Sequence, residues 1–280
     1  RKDGMIPQMS TSCRKFEKSD PLKQIPILYE NEDVLILNKP SGILSQKAVA
    51  SDYSLNEQIV EYYKWKGGSL SLFTPSVCNR LDRNTSGIIL AGMSLKGTQM
   101  LSRVLKARTI DKYYLTIVCG TVTQATTIKG FLCKKKNHNQ VVIFRTKEEA
   151  LANGYQEAAF IETQYQPLAH GKSGKEDFTL LKVKLVTGKT HQIRAHLKSV
   201  GHPIIGDGKY GLKSVNAYIK SAFGIRHQLL HAFYIHFPED IDNVLAGKSF
   251  TAMPEEPFLQ AIYAMFDSIQ SKEDLERKML

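Results

Sequence analysis

The chain has 280 residues, 42% of them hydrophobic, enough for one large core or two smaller ones. It holds no run of about 18 apolar residues that would read as a membrane span, and its basic, polar beginning lacks the continuous apolar centre of a signal peptide. Lys and Arg number 38 against 27 Asp and Glu, and the net charge of +11 favours a polyanion as partner without saying which fold carries it.

Residues 1–24 read as an irregular leader or linker. PILYENEDVLILNKPSGIL (26–44) then gives a short strand, an acidic turn and a second strand over 34–37, closed by the turn chemistry of Asn38-Lys39-Pro40-Ser41-Gly42. LNEQIVEYYKWK (55–66) places Leu55, Ile59, Tyr62 and Tyr63 at helical spacing, and Trp65 is expected to pack near that helix. A polar loop, RLDRNTSG (80–87), leads into the strand GIILAG (87–92). Ile88 and Ile89 are expected to anchor that loop to the sheet. MSLKGTQMLSRVLKART (93–109) predicts a helix with a stripe of Met100, Leu101, Val104 and Leu105, leaving Arg103, Lys106 and Arg108 for water or phosphate. DKYYLTIVCGTV (111–122) reads as a strand, and FLC (131–133) and VVIF (141–144) as the arms of a hairpin tipped by Lys134, Lys135 and Lys136.

The strongest strand signal covers 178–186, with Leu181, Val183 and Leu185 on one face and Leu180, Lys182 and Lys184 on the other. Next, VTGKTHQIRAHLKSVGHPIIGDGKYG (186–211) predicts a helix over 191–200, capped by Thr190 and ended by Gly201. Ile193, Leu197 and Val200 form its apolar series, with Arg194 at the rim. GDGKYG (206–211) lacks the spacing of a phosphate loop and reads as a plain turn, so Asp207 is a weak catalytic candidate. GIRHQLLHAFYIHFP (224–238) reads as a last strand, in which His231 satisfies structural polarity. Many β-like runs without regular strand–helix alternation indicate an α+β class rather than a doubly wound one.

Chemistry has few candidate places. His191 and His196 are five residues apart, about 140° around a helix, which is poor spacing for one metal ion. Cys13, Cys78, Cys119 and Cys133 are too scattered for a zinc motif or a disulfide framework and fit a reducing, cytoplasmic setting. No metal or other cofactor is expected. Asp82 lies between Arg80 and Arg83, either as a structural tie in a surface turn or as an acid kept ionised for work on an anionic polymer.

Taken together, RLDRNTSG, DKYYLTIV, TGKTHQIRAHL, GHPIIGDGKYG and RHQLLHAFYIHFP resemble, in order, the motifs of the RluA-type family of RNA pseudouridine synthases. ILNKPSGIL is similar to the family's early strand and KPxG turn. The resemblance implies a central mixed, largely antiparallel sheet with flanking helices, split by an RNA-binding active-site cleft. It implies a catalytic domain over 25–262, followed by a helical tail over 263–280. It makes Asp82 the catalytic nucleophile, Tyr114 the residue stacked on the target base and Arg194 the partner of Asp82. Arg80 would support the space left by the extruded uridine, and Arg83 would help to hold the RNA. Ile193 and Leu197 would position the helix or line the base pocket. Asn79 departs from the histidine that family members commonly carry before RLD. The implied substrate is a structured RNA, ribosomal RNA of the large subunit before transfer RNA, and the family-like default is a monomer. The leader is too short for the S4 RNA-binding domain that many relatives carry. A catalytically silent RNA-binding protein or an RNA hydrolase would explain the charge, but neither accounts for Asp82, Tyr114 and Arg194 together; a membrane-surface module fits less well.

Overall fold

The computed structural model describes residues 19–280, so most of the expected leader and Cys13 lie outside the described residues. Strands β1 (Ile27–Glu30) and β2 (Val34–Lys39) form the first hairpin, and α1 (Leu55–Trp65) follows. A capping box of Ser54 and Glu57 starts α1, whose Leu55, Ile59 and Tyr62 are buried while Trp65 stacks on Tyr62. Then come β3 (Ser76–Val77), β4 (Ser86–Gly92), α2 (Leu95–Ala107), β5 (Asp111–Cys119), β6 (Thr126–Lys134), β7 (Val141–Phe144) and α3 (Lys147–Ala152). The second half contains β8 (Ala159–Ser173), β9 (Glu176–Leu185), α4 (Gln192–Ser199), α5 (Lys213–Phe223), β10 (Leu230–His236), β11 (Ser249–Thr251), α6 (Glu256–Met265) and α7 (Lys272–Met279).

All the strands join one sheet in the order β1-β2-β4-β10-β5-β9-β8-β6-β7, with β3 beside β4 and β11 beside β10. Every pairing is antiparallel except β4 with β10, which meet in parallel only at Ser86↔His231 and Ala232↔Gly87. This is the mixed, largely antiparallel α+β architecture that the sequence led us to expect.

Alternation along the central strands builds a core on each face. Tyr114 and Val118 of β5 and Leu181 and Val183 of β9 join α1 and α4 on one side. Leu115 and Ile117, with Phe178 and Leu180, join α5, α6 and α7 on the other. Ile88 and Ile89 are both buried, on opposite faces of β4. Full burial of each such side chain contributes about 1.5–3 kcal/mol. Lys182 and Lys184 take the face opposite Val183, where both ammonium groups lie over the Tyr113 ring.

Two expectations about α4 need correction. Thr190 is exposed and does not cap it; the N-cap is His191, in a left-handed conformation at φ 56°. The Gln192 side chain satisfies the turn instead, accepting from Lys189 N at 3.1 Å and from Thr187 Oγ1 at 2.8 Å. Val200 is 38% exposed because the helix ends at Ser199, which turns the last apolar residue out of the packed series. Gly201 exits at φ 88°, as expected.

Two of the buried histidines, His196 and His231, are structural. His231 Nε2 donates to Ala252 O at 2.8 Å, and its Nδ1 accepts from Ser86 Oγ at 2.8 Å. His196 Nδ1 is paired with Thr163 Oγ1 at 2.8 Å. Burial pulls both imidazoles down to about 4, outweighing backbone contacts that favour the charged form. Unfolded histidine binds its proton near pH 6.5, so acid favours the unfolded chain first. Stability should therefore fall between pH 6.5 and 4, by up to about 1.4 kcal/mol per pH unit for each histidine, as urea midpoints across that window would reveal.

Gly87, the last residue of RLDRNTSG, has φ 119°, and a Cβ there would lie 2.3 Å from Ala232 O. Only glycine lets β4 approach β10 this closely. Gly87→Ala should cost about 2 kcal/mol or more in chemical denaturation. It should also displace the loop that carries Asp82.

Candidate active site

The loop ahead of β4 is seated by unusually complete backbone contacts. Ser45 Oγ donates to Leu81 O at 2.8 Å and accepts from Leu81 N at 3.0 Å. The buried Lys39 ammonium donates to Pro40 O, Ile43 O and Arg83 O at 2.9, 2.8 and 3.0 Å, tying the KPSG turn to the RLDR turn. Burial pulls Lys39 down to about 7 despite the nearby carboxylates of Glu255 and Asp82; its three carbonyl acceptors favour the charged form. Gly42 N also reaches Arg83 O at 2.9 Å, and Ser41 Oγ reaches Asn84 O at 2.9 Å. Asn79 is occupied with β4: its Nδ2 donates to Ile88 O, and its Oδ1 accepts from Leu90 N.

This seat projects Asp82 toward α4. Arg194 Nη1 donates to Asp82 Oδ2 at 2.7 Å, while its Nε and Nη2 donate to Asp207 at 2.6 and 2.9 Å. The Asp207 side chain is fully buried, that of Arg194 is 6% exposed and that of Asp82 is 25% exposed. One guanidinium thus joins an interior carboxylate to one open to solvent. Asp207 also accepts from Lys209 N and Tyr210 N at 2.9 and 3.0 Å, and Asn216 Nδ2 holds its backbone carbonyl at 2.8 Å. Burial pushes the Asp207 carboxyl up, but Arg194 and the two backbone N–H groups more than offset this and hold it below its ordinary range. Burial likewise opposes the Arg194 charge, and the two carboxylates outweigh it.

Tyr114 is buried on β5, in the cluster that also contains Leu81, Ile193 and Leu197. Burial, then the negative charge of Asp82, raises its phenol well above the usual range, so the hydroxyl stays protonated at neutral pH. Ile193 and Leu197 fasten α4 into this cluster. Asp82, Tyr114, Arg194, Ile193 and Leu197 therefore belong to one neighbourhood. Arg80 and Arg83 are exposed beside it and form no ion pair among the described residues.

Sequence reasoning missed two supports. The buried Asp207 clamp was hidden in what read as a plain turn, although an arginine inside a core demands more than one acceptor. Lys39 was read only as part of a turn. His191 Nδ1 is paired with the Tyr210 hydroxyl and His196 Nδ1 with Thr163 Oγ1, and among the described residues no group of three or more His, Cys, Asp or Glu could hold a metal ion.

The site thus holds an acid bound by an arginine, near a phenol and two exposed arginines. The sequence model of the RNA pseudouridylate synthase family matches residues 33–199, and the chain belongs to that family. Ribosomal large subunit pseudouridine synthase C of Pasteurella multocida is 34% identical over 225 residues, 80% of this chain and 63% of that protein. The synthase of the same name from Haemophilus ducreyi is 31% identical, over 89% of this chain and 71% of its own. Human RNA Pseudouridylate Synthase Domain Containing 1 shares the fold, with a TM-score of 0.65, 24% identity and coverage of 91% of this chain and 94% of that one. The chain spans a little under two thirds of the length of several curated relatives, among them the Pasteurella multocida protein.

Removing the clamp tests its place in this site. Asp207→Ala should lower stability by about 3 kcal/mol in urea titrations, because a buried guanidinium loses its main partner. Addition of formate should restore part of that stability by refilling the carboxylate position.

Proposed function

We propose that the protein isomerises a uridine of structured RNA to pseudouridine, with large-subunit ribosomal RNA as substrate. The observation that carries this reading is the 2.7 Å contact between Arg194 and the partly exposed Asp82, next to Tyr114. The names of the ribosomal relatives support the choice of RNA.

The reaction breaks the C1′–N1 bond, turns the uracil and forms a C1′–C5 bond. C5 gives up a proton and N1 gains one, so the atoms balance without a second substrate. Asp82 attacks C1′ as a carboxylate and expels N1, Arg194 holds it aimed, and C5 of the turned uracil then displaces the carboxylate from C1′. The detached uracil stays on the Tyr114 side of the pocket, where recombination is effectively intramolecular. Because Tyr114 is held protonated, its resting role is to stack and donate; it takes part in removing the C5 proton only if a neighbouring group relieves it of its own. Extrusion from a helix costs a few kcal/mol, which phosphate contacts from Arg80 and Arg83 offset.

Pseudouridine mapping at single-nucleotide resolution, on ribosomal and transfer RNA exposed to the active chain, tests both activity and target. Asp82→Asn should abolish product by at least about 10³-fold with near-normal folding and RNA binding retained. Near-wild-type turnover would overturn the reading. Arg194→Met should lose about 10²-fold in turnover and far less in RNA affinity; equal small losses would make the arginine peripheral.

A further inference from the structure

Asp82 has two oxygens, and Arg194 engages only Oδ2. Oδ1 faces His191, whose Nε2 lies 4.0 Å away. That is too long for a hydrogen bond and short enough for a small movement of the Asp82 side chain to make one. His191 is 8% exposed and stands at the N-cap of α4, three residues before Arg194.

What the imidazole presents to Oδ1 follows from a chain of contacts. The Val141 backbone N–H, which can only donate, is 2.9 Å from the Tyr210 hydroxyl oxygen. The Tyr210 hydroxyl is 2.8 Å from His191 Nδ1 and has no other recorded acceptor among the described residues. The Tyr210 hydroxyl therefore donates its hydrogen bond to Nδ1. A neutral imidazole then carries its own proton on Nε2, pointing at Asp82. Neutrality fits the surroundings: burial lowers the His191 pKa, Arg194 and Lys209 add to the lowering, and Asp82 and Asp207 oppose it without overcoming it. Tyr210 is itself fixed, with its N–H on Asp207 Oδ1 at 3.0 Å and its ring 5.2 Å from the Arg194 guanidinium carbon.

We infer that His191 is a positioning residue whose Nε2–H, set by the Val141–Tyr210 chain, takes Asp82 Oδ1 when substrate closes the site. The carboxylate is then held at both oxygens, and each oxygen keeps a lone pair that can face the ribose. The inference rests on the proposed role of Asp82 and adds a second donor to it. Val141 opens β7 and pairs with Lys134 at the end of β6, across the hairpin, and Lys209 Nζ donates to Asn139 O at 2.9 Å. The donor that selects the tautomer thus belongs to the basic hairpin.

Glutamine and methionine at position 191 have similar length, and only glutamine keeps an N–H near the Nε2 position. His191→Gln should retain turnover within about threefold, while His191→Met should lose about tenfold in kcat with KM within twofold. Both should unfold at similar urea concentrations. In ¹⁵N spectra of the wild-type protein, His191 should show a protonated Nε2, and Tyr210→Phe should mix the two tautomers. Equal losses in the two position-191 variants, full turnover in a folded His191→Met, or a resting Nδ1–H tautomer would each overturn the inference. Asp82→Asn is measured alongside. If that variant stays active, the failure belongs to the reading of Asp82; if it is dead while His191→Met is fully active, the failure belongs to His191.

Discussion

Everything at this site depends on one guanidinium having two carboxylates to satisfy. A single buried arginine–aspartate pair would neutralise itself and leave nothing to present. Arg194 instead spends Nε and Nη2 on the interior Asp207 and turns Nη1 outward. Its planar fork makes this possible; a lysine, a point charge on a flexible stem, could not face two directions with fixed geometry. Asp207 anchors the cation, and Asp82 receives a donor that needs no reorganisation when RNA arrives.

The scaffold on each side of that contact is stiff for different reasons. On the Asp82 side, rigidity comes from hydrogen bonds to backbone carbonyls, supplied by Lys39, Ser45 and Ser41, and from the close approach of Gly87 to Ala232. On the Arg194 side it comes from apolar packing of Ile193 and Leu197, together with a polar network. Gln192 Nε2 reaches Glu162 O at 3.0 Å and Thr163 Oγ1 at 3.1 Å, which binds α4 to β8. Two elements 112 residues apart in sequence can thus be held to the tolerance that a 2.7 Å contact requires.

Local sequence carried much of this architecture. Period-two alternation in β9, glycine at the exit of α4 and the hairpin around the lysine triplet all matched, because each reflects a constraint acting within a few residues. Asp82, Tyr114 and Arg194 were legible through ordered motifs, which preserve tertiary information that spacing alone does not. The failures share another cause. Asp207 and Lys39 act on partners that only the fold supplies, so a turn sequence concealed a clamp and a brace. Thr190 lost its expected capping role because Gln192, buried two residues on, could reach both the loop and β8.

The brace made by Lys39 sets how the loop responds to chemical insult. Among the described residues the cysteines are free, and no metal cluster ties this loop, which hangs instead on an ammonium group inside the protein. Reductants and chelators do not act on an amine. Reagents that acylate amines do: once unfolding exposes this nitrogen, its capture would remove the three hydrogen bonds that bolt the loop in place.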